Sequence, residues 1–332
     1  MTRTAFITGI TGQDGAYLAE LLLERGYRVV GGVRRTSGAG LGRLEQLGIV
    51  DDVELVPLEL GDQASIRRAL GRARPDEVYN LAAQSFVAVS FDLPVATGDI
   101  TGLGAVRVLE AVRECAPDAR LYQASTSEMY GGGDGTVALT ETSPFSPRSP
   151  YAVAKLYAHH MCANAREGHG MHVSSGILFN HESPLRGAEF VTRKVTRAAA
   201  RIKLGMQREL RVGNLAARRD WGYAREYVDA MHRMLQQDEP GDYVVATGVS
   251  YSVRDLVERA FAAVDLDWND HVIVDEQLLR PLDVDTLVGD ATKAREQLGW
   301  QPRTNFAELV ELMVAADVEL AERELRGDAS LA

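Results

Sequence analysis

The run TAFITGITGQDGAYLAELLLERGY, Thr4–Tyr27, decides the architecture. TAFIT (4–8) is a short apolar run that fits a buried strand, and from Ala16 to Arg25 apolar residues recur at helical spacing. Between them stand Gly9, Gly12 and Gly15. Glycines at a strand-to-helix turn let the backbone approach a ligand closely, and the helix N-terminus offers unpaired N–H groups to a pyrophosphate. The glycine spacing alone is a weak signal; the strand before it and the helix after it give it weight. The stretch predicts a dinucleotide-binding turn.

The pattern repeats outward from there. Buried strands are expected at 28–33, 53–58, 77–82, 120–125 and 172–178, with amphipathic helices at 64–73, 95–113 and 151–166. Parallel strands need crossover connections, so this alternation implies a doubly wound parallel sheet of the Rossmann type. After about Phe179 the pattern loosens into Arg- and aromatic-rich segments, then returns to helices with short strands such as HVIV (271–274). The expected organisation is a dinucleotide-binding domain over 1–178 and a smaller mixed α/β substrate domain over 179–332. A segment near 210–240 is a candidate to rejoin the first.

Composition narrows the partners. The chain has 332 residues, 45% apolar, enough for a full core, and a net charge of −11. That charge disfavours nucleic acid and anionic membrane as bulk partners, while leaving room for a local basic pocket. The start of the chain enters a strand at once, with no stretch for a signal peptide, and no apolar run reaches spanning length. With only Cys115 and Cys162, no disulfide framework is expected. A soluble, cytoplasmic protein is the expectation. His159 and His160 are adjacent on a helix and cannot share one face, and His169 and His172 have no Cys or acid beside them, so no metal site is expected. The RRDW cluster (218–221) is too small a basic-aromatic patch for nucleic acid, and Trp221 reads as core or pocket wall. The Ala-rich acidic tail (315–332) reads as a solvated helix that frays.

Two details point to chemistry. At the end of the second strand an NAD enzyme usually carries an acid for the ribose 2′-hydroxyl, whereas this chain has Arg34 and Arg35. Guanidinium groups suit a 2′-phosphate, so NADP is favoured; the plainer reading is a solvated basic loop. Further on, Tyr151 and Lys155 stand four apart in a helix and share a face. A phenol titrates near ~10. A nearby ammonium and an oxidised nicotinamide would both be expected to lower Tyr151 and make it a usable base. Thr126, at the end of the fifth strand, adds a hydroxyl. In this order, behind the glycine turn, the three match the short-chain dehydrogenase/reductase triad. Hydride transfer at a carbinol needs no second base, yet Glu128 follows Thr126. A carboxylate opposite the phenol could remove the C5 proton of a sugar oxidised at C4 and assist loss of its C6 hydroxyl.

At these residues the resemblance becomes close and runs along nearly the whole chain. ITGITGQDGAYLAELLLERGY, VYNLAAQSFV, YQASTSEMYG, PRSPYAVAKLYAH, GILFNHESPLRGAEFVTRKVTRA, RRDWGYAREYV, VVATGVSYSVRDLV and GDATKAREQLGW resemble the GDP-mannose 4,6-dehydratase family of extended short-chain dehydrogenase/reductases. The resemblance implies catalytic roles for Thr126, Glu128 and Tyr151, with Lys155 on the nicotinamide ribose. It implies NADP contacts from Gly9, Ile10, Thr11, Gly12, Gln13, Asp14, Gly15, Arg34, Arg35, Glu59, Leu60, Leu81, Ala82, Ala83, Gln84, Ser85, His181 and Arg186. GDP-mannose contacts would come from Ser85, Asn180, Lys194, Arg219 and Arg280, and the assembly would be a homodimer or homotetramer. The chain departs from the family at Glu59, Ala96, Leu185 and Asp283 and in a short loop after Arg35, none of which touches the catalytic set. The same dehydration on a GDP-heptose, or a bifunctional dehydratase and 4-keto reductase, stays open. A regulatory cofactor sensor on the same fold would tend to lack the Tyr or the Lys.

Overall fold

The computed structural model describes residues 2–34, 40–132, 137–279, 282, 284 and 286–327; Arg35, Arg280 and Asp283 lie outside the described residues. The first half runs β1 (Thr4–Thr8), α1 (Gln13–Glu24), β2 (Arg28–Val33), α2 (Gly42–Gln46), β3 (Glu54–Pro57), α3 (Gln63–Ala73) and β4 (Glu77–Asn80). There follow α4 (Val87–Asp92), α5 (Pro94–Thr97), α6 (Gly104–Cys115), β5 (Arg120–Thr126), α7 (Pro150–His169) and β6 (Val173–Leu178). The second half comprises β7 (Asn180–Glu182), α8 (Val191–Lys203), β8 (Leu210–Val212), β9 (Arg218–Tyr223), α9 (Ala224–Leu235) and β10 (Asp242–Val245). It ends with β11 (Ser250–Ser252), α10 (Val253–Ala262), β12 (Val272–Val274), β13 (Thr286–Leu287), α11 (Thr292–Leu298) and α12 (Phe306–Arg326).

The main sheet has the order β10-β6-β5-β4-β1-β2-β3, and every pairing in it is parallel. It is a doubly wound α/β sheet. One face is covered by α1, α9 and α11, with Leu18, Leu22, Met231 and Leu298 in that core. The other carries α3, α6 and α7 through Leu70, Val108, Leu109 and Cys162. The chain leaves β1 toward β2 and β3, then returns to β4 on the opposite side, so a crevice opens outside the strand ends between β1 and β4, where such folds bind ligands.

The side chains at that crevice decide where the strands stop. Thr8 donates to Asn80 Oδ1 at 2.8 Å, and Asn80 Nδ2 donates to Gln123 Oε1 at 2.8 Å, tying β1, β4 and β5 in a buried row. The Thr8 hydroxyl also accepts the N–H groups of Leu81 and Ala82, both at 3.1 Å. A strand expected over 77–82 therefore ends at Asn80, because its next two N–H groups are taken by a side chain rather than by a ladder.

The helix expected over 95–113 is likewise broken. Residues Gly98–Leu103 between α5 and α6 wind as a π-helix. Gly102 packs against α7, where an added Cβ would meet the Tyr157 ring at 3.3 Å. The wider turn places the Thr101 hydroxyl 3.1 Å from the Gln84 N–H, on the loop that leaves β4 for the crevice.

Beyond β6 the chain builds a smaller layer over the strand ends. There β9 is flanked by β11 and β13 and also pairs with β7, β8 pairs with β12, and α8, α10 and α12 share a core with Trp221 and Phe306. Within this half, α9 and β10 rejoin the main sheet. The tail read as solvated is corrected on one face: α12 packs along α8, with Asp317 and Ala321 of the tail buried. Its apolar stripe is narrow, and the buried face includes an aspartate, which hid it from a hydrophobicity reading. Among the described residues no helix is long and apolar enough to cross a membrane.

Candidate active site

A cavity of about 690 Å³ lies outside the ends of β1, β4, β5 and β6 and runs beneath the smaller layer. Seventeen of the expected site residues reach it. They are Gly9, Gly12, Gln13, Asp14, Gly15, Leu81, Ala83, Ser85, Thr126, Glu128, Tyr151, Lys155, Asn180, His181, Arg186, Lys194 and Arg219. Ile10 is wholly buried beneath the turn and Leu60 is in the core, so their side chains offer a ligand nothing. Thr11 sits on the turn but off the cavity wall. Arg34 and Glu59 are exposed and outside the wall, as is the partly buried pair Ala82 and Gln84. Arg35 and Arg280 lie outside the described residues.

The glycine turn fits close backbone approach. Gly9 has φ +73°, and a Cβ there would sit 2.9 Å from the Ala82 nitrogen. A Cβ on Gly15 would fall 2.3 Å from the Gly9 carbonyl oxygen. The N-cap of α1 is Gly12, with no side chain on the first-turn N–H groups, which leaves them available at the cavity.

Thr126 ends β5 and caps the next turn, its hydroxyl accepting from Glu128 N–H at 3.3 Å. Tyr151 and Lys155 come from the first turns of α7, started by Ser149, whose hydroxyl accepts from Ala152 N–H, and by Pro150 at the first helical position. Lys155 Nζ donates to the Ala124 carbonyl at 2.7 Å and stands 5.9 Å from the Tyr151 ring centre. Burial lowers the Lys155 ammonium to about 8. The Tyr151 phenol departs from expectation. Burial pushes it up, a hydrogen bond with Thr126 opposes, the Glu128 charge adds to the rise, and Arg186 draws it down, with a net upward shift. Lys155 spends its ammonium on a carbonyl, and the downward pulls of Thr126 and Arg186 do not offset the burial. Glu128 is half-buried on the same wall, and no ion pair ties its carboxylate to any described residue.

Asp14 and His181 meet across the fold. His181 Nε2 lies 2.8 Å from Asp14 Oδ2, its Nδ1 lies 2.8 Å from the Phe179 carbonyl, and its ring stacks on Tyr227. Burial opposes ionisation of Asp14, but the His181 charge and hydrogen bonds from His181 and Gln13 outweigh it and hold the carboxyl at about 2. Gln13 bridges the His181 carbonyl and the Ser183 hydroxyl. These side chains are thus occupied in joining α1 to β7. Arg186 lies over the Phe190 ring at 3.6 Å, and its Nε is 3.2 Å from Glu182 Oε2 without the angle for a hydrogen bond. Arg219 is buried on β9 and donates to the carbonyls of Arg218 and Val284. Lys194, half-buried on α8, is lowered by burial, with Asp275 opposing.

Residues the sequence did not single out also line the wall: Arg43, Phe86, Glu189, Phe190 and Gln277. Phe86 and Phe190 meet edge-to-face at 5.7 Å. Trp221 lines the wall and stacks on Phe306. The histidines have other places. His159 is buried, with Nδ1 3.0 Å from the Ser125 hydroxyl. Among the described residues no group of three His, Cys, Asp or Glu could hold a metal ion.

The model of the family described as GDP-mannose 4,6 dehydratase matches residues 6–313. GDP-mannose 4,6 dehydratase 1 of Arabidopsis thaliana is 51% identical, over 97% of this chain and 91% of that protein. The Homo sapiens GDP-mannose 4,6 dehydratase is 48% identical over 95% of this chain and 91% of its own, and that of Sinorhizobium fredii 49% over 95% and 97%. Among solved structures, the UDP-glucose 4-epimerase of Thermus thermophilus in complex with NAD superposes with a TM-score of 0.84 at 27% identity, covering 95% of this chain and 98% of that one. RMD from Pseudomonas aeruginosa complexed with NADPH gives 0.80 at 24%, over 96% and 100%, and shares the fold. With matches of this depth along nearly the whole length, the chain belongs to the GDP-mannose 4,6-dehydratase family.

Proposed function

We propose that the chain performs the reaction its family is named for, converting GDP-mannose to GDP-4-dehydro-6-deoxy-mannose with NADP as the resident cofactor. Glu128 carries this reading: a carboxylate without a counter-ion among the described residues stands on the same wall as Thr126, Tyr151 and Lys155. The bare glycine turn, where Cβ atoms at Gly9 and Gly15 would collide with backbone, suits a dinucleotide pyrophosphate. Bound there, the nicotinamide would supply the hydride chemistry that C4 oxidation and C6 reduction need.

The chain's residues handle the protons. Tyr151 removes the C4 hydroxyl proton while Thr126 hydrogen-bonds that oxygen. The raised phenol becomes a base when positive charge enters the cavity beside it. Glu128 then takes the C5 proton, acidified by the new ketone, and passes a proton to the C6 hydroxyl, which departs as water. C5 regains a proton as C6 is reduced, so the net change is loss of one water. Lys155 serves the ribose of the cofactor, and Lys194 and Arg219 suit the GDP diphosphate. Arg34 follows β2 where an NAD enzyme would place an acid, which supports NADP over NAD. Unpaired Cys115 and Cys162 support a reducing, cytoplasmic setting.

An assembly of two or more copies is part of the proposal. Leu93, Val95 and Leu103 near the π-turn and Val153 and Tyr157 on α7 are exposed together on helices that pack side by side. An apolar face of this kind marks an association surface, and here it lies on the back of the helix that presents Tyr151 and Lys155.

The test is incubation of the purified protein with GDP-mannose and NADP, followed by mass. Loss of one water is expected. Glu128→Gln should accumulate a 4-keto hexose without losing water, and Tyr151→Phe should do neither step. GDP-mannose returned unchanged by the wild type overturns the reading. Dehydration of a GDP-heptose in its place, or a further gain of two hydrogens on the product, selects one of the two alternatives.

A further inference from the structure

His159 is the third member of a helix face that already carries Tyr151 and Lys155. The three stand four apart on α7, so they share that face, and all are buried. The last two grip consecutive residues of β5. Lys155 Nζ donates to the Ala124 carbonyl at 2.7 Å, and His159 Nδ1 lies 3.0 Å from the Ser125 hydroxyl. Ser125 precedes Thr126 and lines the cavity with it. On the far side of the ring, His159 Nε2 lies 3.7 Å from Asp242 Oδ2. Arg166 holds both oxygens of that carboxylate, at 2.7 and 2.8 Å. A serine, a histidine and an aspartate from β5, α7 and β10 thus form a row that begins at the cavity wall.

The row sets where each proton sits. Burial lowers the His159 imidazole from its ordinary 6.5; Asp242 opposes, and His160 and Arg166 add to the fall. Phe145, packed edge-to-face on the ring, brings no charge. His159 is therefore neutral at neutral pH, with one N–H. Burial works against the Asp242 carboxylate, but Arg166 and His159 hold it below its ordinary 3.8, so it stays ionised. A separation of 3.7 Å is too long for a hydrogen bond, yet the negative charge favours the N–H on Nε2. Nδ1 is then an acceptor, and the Ser125 hydroxyl spends its single proton on it. Toward the cavity, Ser125 can only accept.

We propose that His159 is a positioning residue for the reaction: placed by Asp242, it draws the Ser125 proton inward and fixes Ser125 as an acceptor for an O–H or N–H group of the bound ligand, beside Thr126 and Lys155. This rests on the dehydratase reading above. Protonation of His159 reverses the bond. Nδ1 then donates, the serine proton turns outward, and the wall loses its acceptor.

Turnover of GDP-mannose across the acid and neutral range tests it, on the full chain and on Ser125→Ala, His159→Phe, His159→Asn and Ser125→Ala with His159→Phe. The melting temperature and NADPH affinity of each are measured alongside. Ser125→Ala and His159→Phe should each lower kcat/KM at neutral pH by roughly tenfold, as loss of one buried hydrogen bond does. The double variant should be no worse than the poorer single one, because one residue acts through the other. His159→Asn keeps an acceptor near the place of Nδ1 and should recover most of the loss. The wild type should lose activity as pH falls through the lowered His159 value, below 6.5, and His159→Asn should lack that limb. A raised Kd for NADPH in Ser125→Ala assigns the ligand donor to the cofactor, and an unchanged Kd with lowered kcat/KM assigns it to the hexose. Losses that multiply in the double variant overturn the proposal, as does a lowered melting temperature with kcat/KM unchanged. Should His159→Phe fail to fold, unchanged kcat/KM in Ser125→Ala still overturns it. A wild type that returns GDP-mannose unchanged overturns the functional reading and this inference with it, whereas wild-type turnover matched by Ser125→Ala overturns this inference alone.

Discussion

Replacing Asp317 by alanine should destabilise the protein more than any surface change on the same helix. Its carboxylate accepts from Arg193 Nε at 2.7 Å and from the Thr196 hydroxyl at 2.7 Å, and it lies 2.7 Å from Arg193 Nη2. Both side chains are shut away from water, at 9% and 0% exposed. The same guanidinium donates from Nη1 to the carbonyls of Pro184 and Arg186. Losing the carboxylate leaves a buried cation with carbonyls alone, a change that costs about 3–5 kcal/mol. In a protein of this size each kcal/mol moves the melting temperature by roughly 2 °C, so a fall of about 6–10 °C is expected. Calorimetry on Asp317→Ala, Arg193→Met and the pair Asp317→Leu with Arg193→Met reads it out. Removing both charges should recover most of the loss, since a buried pair contributes little net against apolar replacements. Because Arg193 also holds the carbonyl of Arg186, Asp317→Ala should raise the Kd for dinucleotide as well. A melting point within about 2 °C of the wild type, less than ~1 kcal/mol, refutes the buried-pair reasoning.

Two further outcomes follow from the site and the surface. Burial works against the His181 imidazolium, but Asp14 and the hydrogen bonds to Asp14 and Phe179 raise it above its ordinary 6.5, while Asp14 falls from 3.8 to about 2. The pair's contribution is therefore full between 3.8 and 6.5, fades as pH rises through the raised His181 value, and fades again as pH falls toward about 2. The melting gap between wild type and Asp14→Asn should shrink on both sides of that window; a constant gap well into alkaline pH argues against the ion pair. Val153→Asp, on the exposed side of α7, should shift sedimentation toward the monomer while leaving Tyr151 and Lys155 in place. An unchanged sedimentation coefficient places the association surface elsewhere.

The strand, glycine turn and helix at Thr4–Glu24 could be read in the sequence because each depends on neighbours a few residues away: a run of apolar residues, three glycines, a helical period. The same holds for Tyr151 and Lys155, which share a helix face by spacing alone, and for Thr126 at a strand end. Glu128 drew attention because a second acid beside Thr126 exceeds what hydride transfer needs, and the cavity wall then put it beside the others. The end of β4 at Asn80 and the π-turn were not legible, since a threonine hydroxyl on one strand and a tyrosine ring on another helix decide them.

What the sequence determined by itself was the order of the elements and which candidate groups, Thr126, Tyr151 and Lys155, stand at strand and helix ends, both written in local pattern. The tertiary structure alone decided which charges are buried and what each one meets. Arg43 reaches Leu185 across 142 residues, Asp14 finds His181 across 167, and Arg193 finds Asp317 across 124. An Arg or Asp has the same local signature in water as in a core, and only the packing of distant segments settles which of the two it occupies.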